Sequence, residues 1–198
     1  MNEAPEGLSP EDEARAACYG LLARLFYAAP DASVLAQMLH ANAFEGSDAP
    51  IARAWRELAA AAKSAFPVVL ENEHTELFVG TGRAEVTPYL THYTIEFATD
   101  NPLVDVKQRL RDWGIARRES ATEPEDHVSA LFETMRFAIA AQHRSDAEQK
   151  QFFDRFVYRG GTAFCDAVSA SPKAHFYRLV ARFAREFLDL ENQAFGML

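Results

Sequence analysis

The stretch "TEPEDHV", Thr122 to Val128, places three carboxylates, a proline and a histidine within seven residues. These residue types support two kinds of chemistry. Asp126 beside His127 has the composition of an acid/base pair, because a neighbouring carboxylate holds an imidazole in one tautomer and raises its basicity. Adjacent residues of a helix point about 100° apart, so such a pair does not automatically face itself. The plainer reading is a helix start. Thr122 can accept a hydrogen bond from an early backbone N–H, Pro124 suits a first turn, and Glu123, Glu125 and Asp126 meet the positive end of a helix dipole. His127 would then bond a neighbouring loop.

Other chemistries lack a partner element. "EHTE", Glu73 to Glu76, contains the His-x-Glu pair of a zinc deaminase, but such a site also needs a Pro-Cys-x-x-Cys element, which the sequence does not contain. There is no His-Glu-x-x-His, no nucleophile elbow and no Gly-x-x-x-x-Gly-Lys phosphate loop. "GTGR" is a glycine pair that follows no strand pattern. The six histidines and two cysteines have no ligand spacing, so no metal is expected. Cys18 and Cys165 read as reduced core thiols of two helices.

The elements that would position these residues read as a succession of amphipathic helices. Ser9-Pro10-Glu11-Asp12 starts the first, with Ala14, Cys18, Leu21 and Leu25 at helical spacing, and Pro30 ends it. Short helices follow from Asp31 and from about Asp48, then one from Pro67 to about Val79. The segment "GTGRAEVTPYLTHY", Gly80 to Tyr93, interrupts the pattern with two glycines and a proline. Helical spacing returns with Leu103, Val106, Leu110 and Trp113, with Gly114 as a C-terminal cap. It continues with Val128, Leu131, Phe132, Met135 and Ile139 after "TEPEDHV". Further helices are expected around Phe152 to Val157, around Thr162 to Val168, and from Ser171-Pro172 onward. No stretch has sustained period-2 alternation. The expectation is an all-α chain, a single globular helical domain over residues 1–198 with roughly nine to eleven helices.

Composition narrows the partners. With 198 residues, 48% of them hydrophobic, the chain can bury a sizeable core. Twenty Lys and Arg against 29 Asp and Glu give a formal charge of −9, which argues against nucleic acid and favours a cationic partner. Fifteen phenylalanines are mostly core, with some near the surface if the protein receives another protein's apolar segment. No apolar run approaches the ~20 residues of a membrane span, so no stable membrane insertion is expected. The N-terminus has no basic start and no small-residue cleavage site, which predicts a cytoplasmic protein.

Three pieces together resemble a known family. "EHTELFVGTG" (Glu73 to Gly82), "TPYLTHY" (Thr87 to Tyr93) and "EPEDHVSALFETM" (Glu123 to Met135) are similar to motifs of the TorD/DmsD/NarJ redox-enzyme maturation chaperones. The family patterns are aromatic-x-x-Leu-Phe with a following glycine, Pro-Pro-Tyr or Pro-Pro-Trp leading to Ser-x-Tyr, and Glu-Pro-x-Asp-His. The chain departs at His74 for the aromatic, Thr87 for the first proline, and Thr91-His92-Tyr93 for Ser-x-Tyr. Tyr158 with Gly160-Gly161 stands where a late tryptophan is common.

The resemblance implies a cytoplasmic, all-helical, non-enzymatic chaperone, monomeric or a homodimer, that uses no cofactor. Its partner would be a molybdoenzyme catalytic subunit or that subunit's twin-arginine signal peptide. Such a signal joins two guanidinium groups to an apolar stretch, so its receptor needs carboxylates beside an apolar groove. Glu123 and Asp126 supply carboxylates; His74, Leu77, Phe78, Pro88, Tyr89, Tyr93 and His127 complete the expected peptide-binding set. Leu77 and Phe78 also fit the core, at helical spacing with Leu70 and His74. The competing reading is a small helical enzyme or nucleotide-binding protein that uses Asp126 and His127 as acid and base.

Overall fold

A computed structural model describes residues 7–40, 44–80, 83–97, 101–116 and 122–198. The N-terminal stretch Met1 to Glu6 and Thr81-Gly82 of the expected interruption lie outside the described residues. The helices are α1 (Pro10–Tyr27), α2 (Ala32–His40), α3 (Pro50–Lys63), α4 (Pro67–His74), α5 (Pro102–Asp112), α6 (Val128–Ala140), α7 (Asp146–Phe152), α8 (Arg159–Ala170) and α9 (Phe176–Phe195). Two π-helical stretches, Thr75–Val79 and Phe153–Tyr158, extend α4 and join α7 to α8, and Leu90–Tyr93 forms a 3-10 turn. The fold is all-α.

Continuous helical rods among the described residues number eight, below the nine to eleven expected. The difference lies in Phe152 to Val157 and Thr162 to Val168, which belong to one rod. A π turn admits an extra residue and shifts the apolar stripe, so one rod carries two registers and reads as two helices.

Local signals set most boundaries. Ser9 Oγ accepts the N–H of Asp12 at 3.1 Å, and Asp31 Oδ1 accepts that of Val34 at 2.8 Å. Proline occupies the first turn of α1, α3, α4 and α5. Beyond α5, the N–H groups of Gly114 and Ile115 donate to the carbonyls of Arg111 and Leu110, each at 2.9 Å, closing the helix end.

One boundary is tertiary. Ser171 follows the last residue of α8, and α9 begins only at Phe176. There the Glu73 carboxylate of α4 accepts the N–H groups of His175 (2.8 Å), Phe176 (3.2 Å) and Tyr177 (2.9 Å). It supplies the acceptor that the helix start lacks locally.

The core is built from interlocking aromatic rings. Phe132 of α6 lies 5.9 Å from Tyr19 and 6.3 Å from Phe26 of α1, fixing the α1/α6 pair. Phe187 and Phe183 of α9 meet Tyr19 at 4.8 Å and Trp55 of α3 at 5.2 Å, and Phe164 of α8 meets Phe26 edge-on at 5.0 Å. Cys18 and Cys165 are free thiols on α1 and α8. Among the described residues, no helix is long and apolar enough to cross a membrane.

Candidate functional site

The interruption between α4 and α5 is a loop folded back on the end of its own helix. Gly80 turns it with φ +65°, and a β-carbon there would stand 2.2 Å from the Arg83 carbonyl oxygen, so only glycine fits. The Val86 N–H then donates to the Leu77 carbonyl at 2.9 Å. Beyond Pro88 the chain runs antiparallel to the "TEPEDHV" segment in a single bridge between Tyr89 and His127. Leu90 N–H donates to the Asp126 carbonyl (2.9 Å) and Val128 N–H to the Pro88 carbonyl (2.8 Å).

That bridge changes the role of "TEPEDHV". Neither Thr122 nor Pro124 starts α6: the helix begins at Val128 with His127 as its cap, and His127 N–H closes a turn on the Pro124 carbonyl at 3.1 Å. Residues 123–126 stay out of the helix because their backbone is committed to this turn and to the Pro88–Leu90 loop. His127 Nδ1 accepts the Ser129 N–H at 3.2 Å and lies 2.6 Å from Ser129 Oγ. The bonding thus leaves Nε2 as the protonated nitrogen of the neutral ring.

Between the loop, α1 and α4 lies a cleft of about 360 Å³. Phe26 and Tyr27 of α1, His74 of α4, and Phe78 and Val79 of its π-helical extension line it together with Pro88 and Tyr89 of the loop and Thr122, Glu123 and His127 of the "TEPEDHV" segment. Tyr89 Oη donates to Glu123 Oε2 at 2.9 Å, and its ring lies 5.8 Å from that of His127. Burial pushes the His127 imidazole down to about 4, against smaller opposing help from the Glu123 charge. His74 is also held below the usual histidine range by burial, partly offset by its hydrogen bond to the Phe26 carbonyl. Standing where the family has an aromatic, His74 packs as one, 5.2 Å from Phe78 and 5.5 Å from Tyr177.

Two further clefts adjoin the first. One of about 380 Å³ shares Tyr27 and Glu123 with it and continues over Ala23, Ala130, Arg24 and Glu133. Another of about 390 Å³ shares Tyr27 and His74 and reaches Asp31, Pro67 and Glu71. Arg24 is neutralised by Asp31 at 3.3 Å and Glu133 is held by Arg136, while Glu71 and Glu123 form no ion pair among the described residues. The combined groove therefore carries uncompensated negative charge, with polar and apolar side chains mixed along its walls and its most apolar stretch over Ala23 and Ala130.

The expected site residues divide in two. His74, Phe78, Pro88, Tyr89, Glu123 and His127 line the cleft together. Leu77 is fully buried in the core. Tyr93 donates its hydroxyl to the Thr87 carbonyl at 2.8 Å and braces the loop from outside the cleft. Asp126 is buried, accepting a hydrogen bond from Thr91 Oγ1 on one oxygen while the other has no partner among the described residues. Asp126 thus turns to Thr91 and His127 to Ser129, so the two do not form an acid/base couple. Phe26 and Tyr27, at the end of α1, complete the site without a signal in the sequence beyond an aromatic pair next to the helix-ending Pro30. Among the described residues, no group of three or more His, Cys, Asp or Glu is placed to hold a metal ion.

Known proteins share this chain's pattern. The family model described as nitrate reductase delta subunit matches residues 45–166, from before α3 into α8. The chaperone protein TorD of Shewanella loihica is 26% identical over 212 aligned positions, covering 99% of this chain and 100% of its own. The chaperone protein TorD of Photobacterium profundum is 25% identical over 126 positions, covering 58% of each chain. In fold, the chain is similar to the crystal structure of a protein assigned to redox enzyme maturation from Archaeoglobus fulgidus, with a TM-score of 0.56, 17% identity and coverage of 95% of this chain and 99% of that one.

Proposed function

Because the chain belongs to the nitrate reductase delta subunit family, among the redox-enzyme maturation chaperones of TorD and NarJ type, we propose that it binds the twin-arginine signal peptide, or an equivalent N-terminal segment, of a molybdenum-cofactor oxidoreductase subunit. It acts in the cytoplasm, as one helical domain over residues 1–198, and assists cofactor insertion before the client is exported or assembled. The observation that carries this reading is the groove of adjoining clefts, in which apolar side chains such as Phe78, Val79, Ala23 and Ala130 alternate with polar ones and the Glu123 carboxylate is shared by two clefts. An extended peptide fits an open groove, and its guanidinium groups fit carboxylates without ion-pair partners.

Each residue has a distinct part in this reading. Glu123 receives an arginine on the oxygen that Tyr89 leaves free. Tyr89, Pro88, His127, His74 and Phe78 form the contact walls. Asp126, Tyr93 and Leu77 hold the loop and the floor in place without touching the peptide.

Calorimetric titration with a molybdoenzyme twin-arginine signal peptide is the test. Glu123→Gln keeps an acceptor for Tyr89 Oη and removes only the charge, so it is expected to weaken binding by about 1–3 kcal/mol. Wild-type affinity should fall as salt rises, and the variant's should fall less. Absence of wild-type binding, or equal affinities for the two proteins, overturns the assignment.

A further inference from the structure

The loop that carries Tyr89 is seated on α8 through Leu90. Its neighbours have visible tasks: Tyr89 faces the cleft, Thr91 donates to Asp126, and Tyr93 donates to the Thr87 carbonyl. Leu90 is fully buried, and its backbone lies directly over Gly160. A β-carbon on Gly160 would stand 2.7 Å from the Leu90 carbonyl oxygen, 2.9 Å from Leu90 Cβ and 3.2 Å from the Leu90 carbonyl carbon. None of these atoms can rotate aside, so the loop itself would have to lift.

The next glycine is different. A β-carbon on Gly161 would meet Leu188 Cδ1 at 2.9 Å and Leu90 Cδ1 only at 4.0 Å. The first is the tip of a flexible side chain on α9, and the second is an ordinary contact. Alanine is a better helix former than glycine at either position, so a glycine kept inside α8 asks for a spatial reason. Gly160 has one in the loop, whereas Gly161 has one only in helix packing.

We infer that Gly160 is a positioning residue for the peptide-binding loop: its missing side chain sets the depth at which Leu90 seats on α8, and hence where Tyr89 and His127 stand in the cleft. The coupling runs through Leu90 N–H to the Asp126 carbonyl and Val128 N–H to the Pro88 carbonyl, which tie the loop to the start of α6. This inference rests on the peptide-binding reading for its functional consequence, but its structural part can be read without peptide.

The experiment compares Gly160→Ala and Gly161→Ala by two measurements. One is amide hydrogen exchange at Leu90 and Val128, referenced to Phe132 in the core so that any general loss of stability cancels. The other is affinity for a synthetic peptide with two consecutive arginines ahead of a leucine-alanine stretch. Gly160→Ala is expected to speed exchange at both amides and weaken the peptide by about tenfold each, while Gly161→Ala changes neither by more than about twofold. Leu90→Ala, which loosens the same seat without adding an atom to α8, should reproduce the Gly160→Ala result. Wild-type exchange at Leu90 and Val128 in Gly160→Ala overturns the inference, as does an equal effect from Gly161→Ala. If the wild-type protein fails to bind the peptide while Gly160→Ala still frees the two amides, the binding reading falls and the positioning role stands.

Discussion

Replacing Glu73 by leucine is expected to lower the free energy of unfolding by about 3–5 kcal/mol, read as a lower urea midpoint with an unchanged slope. Glu73 is only 8% exposed, and its carboxylate satisfies three backbone N–H groups at the start of α9. Leucine fills similar space but leaves those donors without an acceptor, and each buried, unsatisfied donor costs about 1–3 kcal/mol. Water entering from the side of His175 relieves part of the sum, which sets the range below the arithmetic maximum. Glu73→Gln retains one acceptor oxygen and should lose roughly half as much. A Glu73→Leu protein within about 1 kcal/mol of wild type would show that α9 caps itself by another route. The effect also reaches the site, because His74, the next residue, lines the cleft.

The same residue shows why part of the fold was not legible in sequence. Starts fixed by nearby side chains, such as Ser9 with Asp12 and Asp31 with Val34, were readable, as was the rod from Pro67 to Val79. The sequence signal at Ser171-Pro172 puts the start of α9 too early, because its acceptor sits about a hundred positions upstream on α4. Periodicity also divided the α7/α8 rod, whose π turn at Phe153–Tyr158 shifts the apolar stripe. At the site, the residue types of "TEPEDHV" announced a helix start and carboxylates but not their directions. Those were decided by the bridge between Tyr89 and His127, a contact between segments 38 positions apart. Gly160-Gly161 stood out only as a departure from a family pattern; its reason, the backbone of Leu90, is visible only in three dimensions.

Acidification is expected to remove about 3 kcal/mol of stability from the wild-type protein through His127 alone. The residue is 5% exposed, and burial lowers its folded-state value from 6.5 to about 4. Above pH 6.5 the ring is neutral in both the folded and the unfolded chain, so the contribution is fully present. As the pH falls from 6.5 towards 4, the unfolded chain binds a proton that the folded chain refuses, and stability drops across that window. Below about 4 both states carry the proton and the loss levels off. His74, lowered by burial as well, adds a change of the same sign. Denaturation curves collected from pH 7.5 to 4, for wild type and His127→Asn, isolate the contribution of His127. Asparagine can still cap α6 by accepting the Ser129 N–H but does not titrate, so its curve should be flatter by about 3 kcal/mol. Parallel curves would mean that His127 takes up its proton without cost, and hence that Nε2 reaches water. The same depression bears on function: at pH 6 to 8 His127, which keeps to its neutral form, leaves the Glu123 charge unopposed for a guanidinium group. Peptide affinity should accordingly hold steady across that interval and decline only in the acid range where the fold itself weakens.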